Sequence, residues 1–380
     1  MKILFCSRVF PDEYGFQGGI FILNQAAALQ RAGHQVAVLL LDFRSPRRKR
    51  RWGFSRYCLE GVSVYRWAFP CGPVFPLMRA VAPALTLRLY KQIEADFGQP
   101  DLLYAHFGDA ACDARVLKER FGLPYAVLEH DSGILLGQYT GRELQARKDA
   151  YDQADAVLAV SATLGKKVQA LTRNPISVVP NMLPAYMFEP DLSPQSSTFH
   201  SFAFISVGNL VPGKAFDRTL RAFATLYPRY PAARLLIAGD GPEGQTLRAL
   251  AEELGIERHV EFLGRVDNRR LARILRQCDC FVLPSRFETF GVAYLEAMAS
   301  GLPVIATRCG GPEEFVNAQN GILVPVDDHE ALVQAMQTML ENRDRFQASA
   351  IRDFARTCAS EQMVCQKLTS IFHSVLEKQP

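Results

Sequence analysis

The strongest constraint on the fold is an alternation that runs through the chain twice. In the first half, the continuous apolar runs "KILFCS", "QVAVLLL", "DLLYAH", "PYAVLEH" and "DAVLAVS" are separated by helical stretches such as "IFILNQAAALQRAG" and "DARVLKERFG". Strands apolar on both sides and spaced by helices belong to a parallel sheet covered on both faces. Near residue 180 the pattern breaks, and "VVPNMLPAYMFEPDLSPQSSTFHS" is rich in proline and serine with little periodicity, which predicts a linker. The alternation then restarts with "FAFISVG", "ARLLIAG", "VEFLG", "CFVLPS", "PVIAT" and "GILVPV". A chain of 380 residues exceeds one ordinary core. The expected class is therefore α/β, with two doubly wound Rossmann-like domains at 1–190 and 203–355 joined by a linker at 191–202. Amphipathic helices close the chain.

Composition removes several classes. Apolar residues make up 48% and charged residues 22%, the balance of a soluble globular protein. Arg8 interrupts the amino-terminal apolar stretch before a signal-peptide core forms, and no run of about 18 uncharged apolar residues occurs. A cytoplasmic protein is expected. Nine cysteines lie without any C-x-x-C spacing, which predicts free, mostly buried thiols rather than a disulfide framework or a metal centre.

Gly239, Gly241 and Gly244 spell G-x-G-x-x-G after an apolar run and before a helix. That is the dinucleotide fingerprint, but it does not hold here. Pro242 removes one amide that would face a pyrophosphate, and Glu261 stands at the start of the next strand rather than at its end, where a ribose would lie. The turn still reads as one wall of a nucleotide pocket.

Residues 284–316, "PSRFETFGVAYLEAMASGLPVIATRCGGPEEFV", carry more information. Glu288 falls in the turn after a buried strand, and Gly291 opens a helix whose amino-terminal amides suit an anion or sugar hydroxyls. Glu296 follows within that helix. Two carboxylates, which only accept hydrogen bonds, can hold a polyol at two points; they can equally well stabilise a helix dipole.

The string "ETFGVAYLEAMASGLPVIAT" with "GGPEEFV" resembles the donor-binding E-x7-E segment of the retaining GT-B glycosyltransferases of family 4. Other stretches resemble that family in order: the glycines at 18 and 19, "LEHDSG", "ADAVLAVS", "VVPN", "VGNLVPGKAFD", "LLIAGDGPEG", "VEFLGRV" and "NGILVP". The likeness covers residues 1–340 or so. It implies two domains facing across a deep cleft, with residues 356–380 forming a helix that returns to the first domain. The first domain would bind the acceptor and the second a nucleotide-diphosphate sugar, UDP-sugar or GDP-sugar.

The same resemblance implies roles. Glu296 would accept from ribose hydroxyls. Glu288, with the amides of Phe290 and Gly291, would hold hydroxyls of the transferred sugar. Lys214 would neutralise the diphosphate leaving group, approached from the first domain by the amides of Gly18 and Gly19. His130 would stand near the reactive face of the sugar, whereas His106 reads as a core residue. Asn209, Gly239, Gly241 and Arg265 complete the expected donor site. Retention would come from front-face attack assisted by the leaving phosphate. The resemblance implies neither a metal nor a cofactor beyond the sugar nucleotide, and the absence of a D-x-D triplet agrees with metal-independent chemistry. The chain departs from the family in having Asn209 where arginine is common and Ala215 where glycine follows the lysine.

The two halves differ in charge. Residues 1–190 hold 23 Lys and Arg against 17 Asp and Glu, and "FRSPRRKRRWGFSRY" at 43–57 holds seven basic residues and no acid. Interleaved aromatics suggest a peripheral site on an anionic membrane, with a glycan or lipid-linked glycan as acceptor in cell-surface polysaccharide or glycolipid synthesis; a solvated loop is the plainer reading. Nucleic acid has no recognisable module here. A sugar-nucleotide 2-epimerase and a catalytically weak scaffold subunit are the competing functions.

Overall fold

The computed structural model describes residues 1–47, 50–72, 74–189 and 201–378, and it forms two compact units. The first comprises Met1–Met182 with Glu361–Pro380, the second Leu183–Ser360.

The first unit runs β1 (Lys2–Ser7), α1 (Ile20–Arg31), β2 (Gln35–Asp42), β3 (Gly53–Leu59), β4 (Val62–Ala68), α2 (Phe75–Phe97), β5 (Leu102–His106), α3 (Phe107–Phe121), β6 (Tyr125–Glu129), α4 (Ser132–Leu135), α5 (Gly141–Asp152), β7 (Ala156–Ala159), α6 (Ala162–Gln169) and β8 (Ile176–Val178). Its eight strands are ordered β3-β4-β2-β1-β5-β6-β7-β8, and only β3 runs antiparallel to its neighbour. Strands β1, β2, β5 and β6 are buried almost end to end, as their unbroken apolar runs require.

The antiparallel edge was not expected. Residues read as part of a basic loop form β3, whose exposure alternates along its length, and the turn is made by Glu60 and Gly61 at positive φ. Two such residues match the twist of a tight hairpin, which a search for apolar runs overlooks.

The second unit runs β9 (Ala203–Val207), α7 (Phe216–Leu226), β10 (Arg234–Ala238), α8 (Gly244–Glu253), β11 (Val260–Gly264), α9 (Asn268–Gln277), β12 (Cys280–Leu283), α10 (Val292–Ala299), β13 (Val304–Thr307), β14 (Gly321–Val324), α11 (His329–Glu341) and α12 (Ala348–Ala359). All six strands are parallel, in the order β11-β10-β9-β12-β13-β14. Each unit is thus a doubly wound sheet, as the alternation of apolar runs and helices predicts.

The unit boundaries fall at 182/183 and 360/361, rather than at 190 and 355. Hydrogen bonding explains the shift. The Leu183 N–H donates to Ala359 O at 2.8 Å, and Arg276 Nη2 donates to Tyr186 O at 3.0 Å, so residues after 182 attach to the second unit. Of the expected linker, residues 191–200 lie outside the described residues. Helix α12 stays with the second unit, burying Ile351, Ala355 and Ala359 beside α10.

The last helix, α13 (Glu361–Leu376), belongs to the first unit. It buries Val364, Leu368, Phe372 and Val375 against α1 and β6, and Phe372 meets the Tyr104 ring edge-on at 5.0 Å. Arg31 on α1 pairs with Glu361 at 2.8 Å. Replacing Phe372 by Ala should cost the first unit about 3–5 kcal/mol. Native-state hydrogen exchange should then show lost protection in β5 and β6 with β9 and β12 unchanged; equal loss in both units would refute the assignment of α13.

Candidate active site

In an open parallel sheet, ligands bind where the strand order reverses, at the carboxyl ends of the strands. The second unit reverses between β9 and β12, so the loops that follow these strands lie side by side. Lys214 ends the turn Pro212–Lys214 after β9, and Glu288 sits in the loop after β12. Lys214 Nζ donates to Glu288 Oε1 at 2.6 Å, and Ser285 Oγ donates to the same oxygen at 2.8 Å. Glu288 is buried, and its main chain is pinned to the loop after β13, its N–H donating to Cys309 O and its carbonyl accepting from Gly311 N–H. Among the described residues nothing donates to Oε2, so that oxygen is open to a ligand hydroxyl.

Of the expected donor residues, Asn209, Phe290 and Gly291 follow the same two strands, β9 and β12, as this pair. Phe290 is buried against Phe315, and Gly291, at φ +95°, caps α10 without a side-chain bond, leaving amino-terminal amides to a ligand. Asn209 is exposed at the end of β9. Ala215 adopts φ +53°, a left-handed conformation that glycine would enter without strain, so the departure from the family pattern stores strain beside Lys214. Arg265 is exposed after β11, the outermost strand and the farthest from Glu288 in the sheet order.

The glycine fingerprint has a local cause. A Cβ on Gly239 would stand 1.8 Å from Gly208 O, and one on Gly241 would stand 2.5 Å from Leu210 O. Gly208 N–H donates to Ala238 O, Leu210 N–H to Asp240 O, and Gly239 N–H to Gly264 O. The turn is thus a close-packed seam joining the carboxyl ends of β9, β10 and β11.

Glu296 lies in the second turn of α10. No side-chain hydrogen bond to it is made among the described residues. Its side chain keeps partial contact with solvent, yet neighbouring atoms crowd it enough that desolvation pushes its carboxyl up to about 7.

In the first unit the order reverses between β1 and β5. The loop after β1 carries Gly18 and Gly19. Gly19 caps α1 at φ +79°, and a Cβ there would meet Val9 O at 2.7 Å, while one on Gly18 would run into the Phe16 ring. His130 follows β6 and is buried among Phe21, Phe107 and His106. Its Nε2 lies 3.1 Å from His106 Nδ1, so one ring gives the other its proton. Burial lowers the His130 imidazole to about 3 and holds His106 well below its usual range, so both rings are neutral. Glu129 supports the turn: Oε1 accepts from the His130 and Asp131 N–H groups at 2.8 and 2.9 Å, and Oε2 accepts from Tyr151 at 2.5 Å. Glu129, Tyr151 and Ser285 were not expected as site residues. Only their closeness in sequence to His130 and Glu288, or a helix facing β6, could have flagged them.

The basic segment 43–57 is less free than its composition suggests. Arg44 pairs with Asp42 at 2.7 Å and Asp12 at 2.8 Å, Arg50 with Asp42 at 3.2 Å, and Arg56 with Asp96 at 3.0 Å. Residues 48 and 49 lie outside the described residues. All nine cysteines are free, and no helix among the described residues is long and apolar enough to cross a membrane.

Residues 18–184 match the family model of glycosyltransferase family 4, and residues 194–355 match that of glycosyl transferases group 1. Together these matches span most of the chain. The protein is a glycosyltransferase whose two halves match these two family models. It is 28% identical over 270 residues to the uncharacterized glycosyltransferase YqgM of Bacillus subtilis, covering 67% of this chain and 72% of that protein. It is 29% identical to the phosphatidylinositol N-acetylglucosaminyltransferase gpi3 subunit of Schizosaccharomyces pombe, over 81% of this chain and 66% of that one. The solved structure of Anabaena HepE in complex with UDP and glucose superposes with a TM-score of 0.77 at 22% identity, covering 98% of this glycosyltransferase and all of HepE.

The raised Glu296 carboxyl makes stability depend on pH. Folded, the group titrates near 7; unfolded, near 4.5. The folded glycosyltransferase therefore holds more protons between these values, and stability falls as pH rises from about 4.5 to 7. Glu296→Gln should raise stability at pH 8 by about 1–2 kcal/mol, allowing for the solvent that still reaches the side chain, and leave it unchanged at pH 4. Denaturation curves with equal gains at both pH values would show that Glu296 titrates normally.

Proposed function

We propose that this glycosyltransferase transfers a hexose, with retention of anomeric configuration, from a nucleotide-diphosphate sugar to a glycan or lipid-linked glycan. The observation that supports this reading is the meeting of Lys214, Glu288 and the amino terminus of α10 at the reversal of the second sheet. A cation, a carboxylate with one open oxygen and unbonded amides are what a sugar diphosphate needs.

In this reading Glu296 accepts from the ribose hydroxyls and Glu288 Oε2 from a sugar hydroxyl, with the Phe290 and Gly291 amides beside it. Asn209, Gly239, Gly241 and Arg265 border the nucleotide. Lys214 shifts from Glu288 toward the diphosphate as the bond between the anomeric carbon and the β-phosphate oxygen breaks. The acceptor oxygen bonds on the same face, and its proton passes to the departing phosphate. His130, being neutral, contributes a hydrogen bond rather than a charge, and Gly18 and Gly19 contribute loop amides. The charge work falls to Lys214 and to amides, without a metal.

The gpi3 relative supports a lipid-borne acceptor, and with it a peripheral place on the inner membrane face in polysaccharide or glycolipid synthesis. Arg47, Arg51 and Trp52 remain exposed for that contact. Flotation with anionic vesicles should carry the protein upward at low salt; recovery only from the soluble fraction would refute the membrane contact.

Lys214→Ala should lower turnover by about 10²–10³-fold while donor affinity falls much less, because its partner charge grows in the transition state. Steady-state kinetics beside a titration with UDP and GDP measure both. Turnover unchanged in that variant would remove the assignment.

A further inference from the structure

The first unit contains a cavity of about 440 Å³ between α2, α3 and α5 that the donor chemistry does not use. Its wall is apolar, formed by Phe75, Met78, Ala82, Pro83, Val116 and Ala146. Its size is that of a small-molecule pocket, and a hydrophobic wall of this kind takes a hydrocarbon group.

Charge around the cavity is one-sided. Five arginines and three acids line it. Arg8 is held by Asp113 at 2.8 Å, and Arg147 by Asp109 at 2.7 Å and Glu143 at 3.4 Å. Arg79 and Arg142 are exposed and pair with no acid among the described residues. The acids are thus spent on inner arginines, and the outer two leave a net positive rim. An anionic group attached to an apolar chain satisfies both features at once.

Two further observations narrow the occupant. The start of α2, at the cavity wall, exposes apolar side chains: Val74, which caps the helix, is 50% accessible, Phe75 53% and Leu77 41%. A chain drawn from a bilayer would enter over such a surface. One lining residue, Arg147, connects the cavity indirectly to the turn that carries His130. Arg147 lies against Gly108, where a Cβ would meet its Nη1 at 2.6 Å and the Tyr151 hydroxyl at 2.5 Å, and Tyr151 in turn holds Glu129 beside His130.

We infer that this cavity binds the hydrocarbon chain of a membrane lipid acceptor whose phosphate is met by Arg79 and Arg142. The inference rests on the proposed transfer to a lipid-linked acceptor and names the part of the molecule that the first unit grips. A lipid held here would press on Arg147, whose neighbour Tyr151 supports Glu129 beside His130.

The test uses the full chain and octyl phosphate below its aggregation concentration, with octyl glucoside and inorganic phosphate as comparison probes and UDP as an independent probe of the second unit. Calorimetry should show octyl phosphate binding once per chain, more tightly than either comparison probe. Ala146→Phe and Val116→Phe, which fill the cavity from different helices, should each weaken octyl phosphate at least about tenfold with UDP affinity unchanged. Replacing Arg79 and Arg142 together by Ala should weaken octyl phosphate by about tenfold and leave octyl glucoside unaffected. Unchanged octyl phosphate binding in both filled variants would overturn the inference, as would equal binding of the neutral and anionic chains or failure of octyl phosphate to bind. Loss of UDP binding in the unaltered protein would instead strike the proposed donor chemistry, so the two failures are distinct.

Discussion

The second unit depends on a main-chain contact in which Gly208, at the end of β9, meets Gly239, at the end of β10. No side chain fits there, because a Cβ on Gly239 would overlap a carbonyl oxygen. The hydrogen bonds that run along this seam fix where the chain leaves β9. That exit direction carries Lys214 across to the end of β12 and into reach of Glu288. A close packing of backbone on backbone therefore sets the position of a charge-bearing pair that lies well beyond it, and the fingerprint glycines act first as architecture.

Burial then sets the chemistry of the groups so placed. Among the described residues Glu296 has no side-chain partner to hold its charge, and the ring that His130 hydrogen-bonds is neutral. Desolvation pushes the two in the same direction, toward the uncharged form. Lys214 and Glu288 solve the same problem by neutralising each other. A polar ligand entering such a place meets groups whose hydrogen-bonding capacity is unspent, and for Glu296 the ligand's own donors would favour the ionised form that burial resists.

Much of this was legible in the residues. Unbroken apolar runs named the parallel strands, and Gly291 marked where helix α10 begins. What escaped reading was non-local. The pairing of Lys214 with Glu288 spans 74 positions and follows from strand order, which apolar runs do not encode. The ion pairs that occupy Arg44 and Arg50 draw on Asp12 and Asp42, outside the basic segment that composition singled out. The hairpin at β3 and β4 was hidden because an edge strand with one wet face lacks a continuous apolar run. The role of α13 was visible only through resemblance, since its amphipathic stripe does not say which face of which unit it covers.

That last helix also imposes an order on the protein's formation. The surface of the first unit made by α1 and β6 is complete only when residues 361–376 have emerged, after the whole second unit. During synthesis the first unit must wait with part of its core open to water while the second unit closes on itself, since each domain folds as its own residues become available. The unit made first is thus finished last, and the apolar face around Tyr104 is the surface a nascent-chain chaperone would meet.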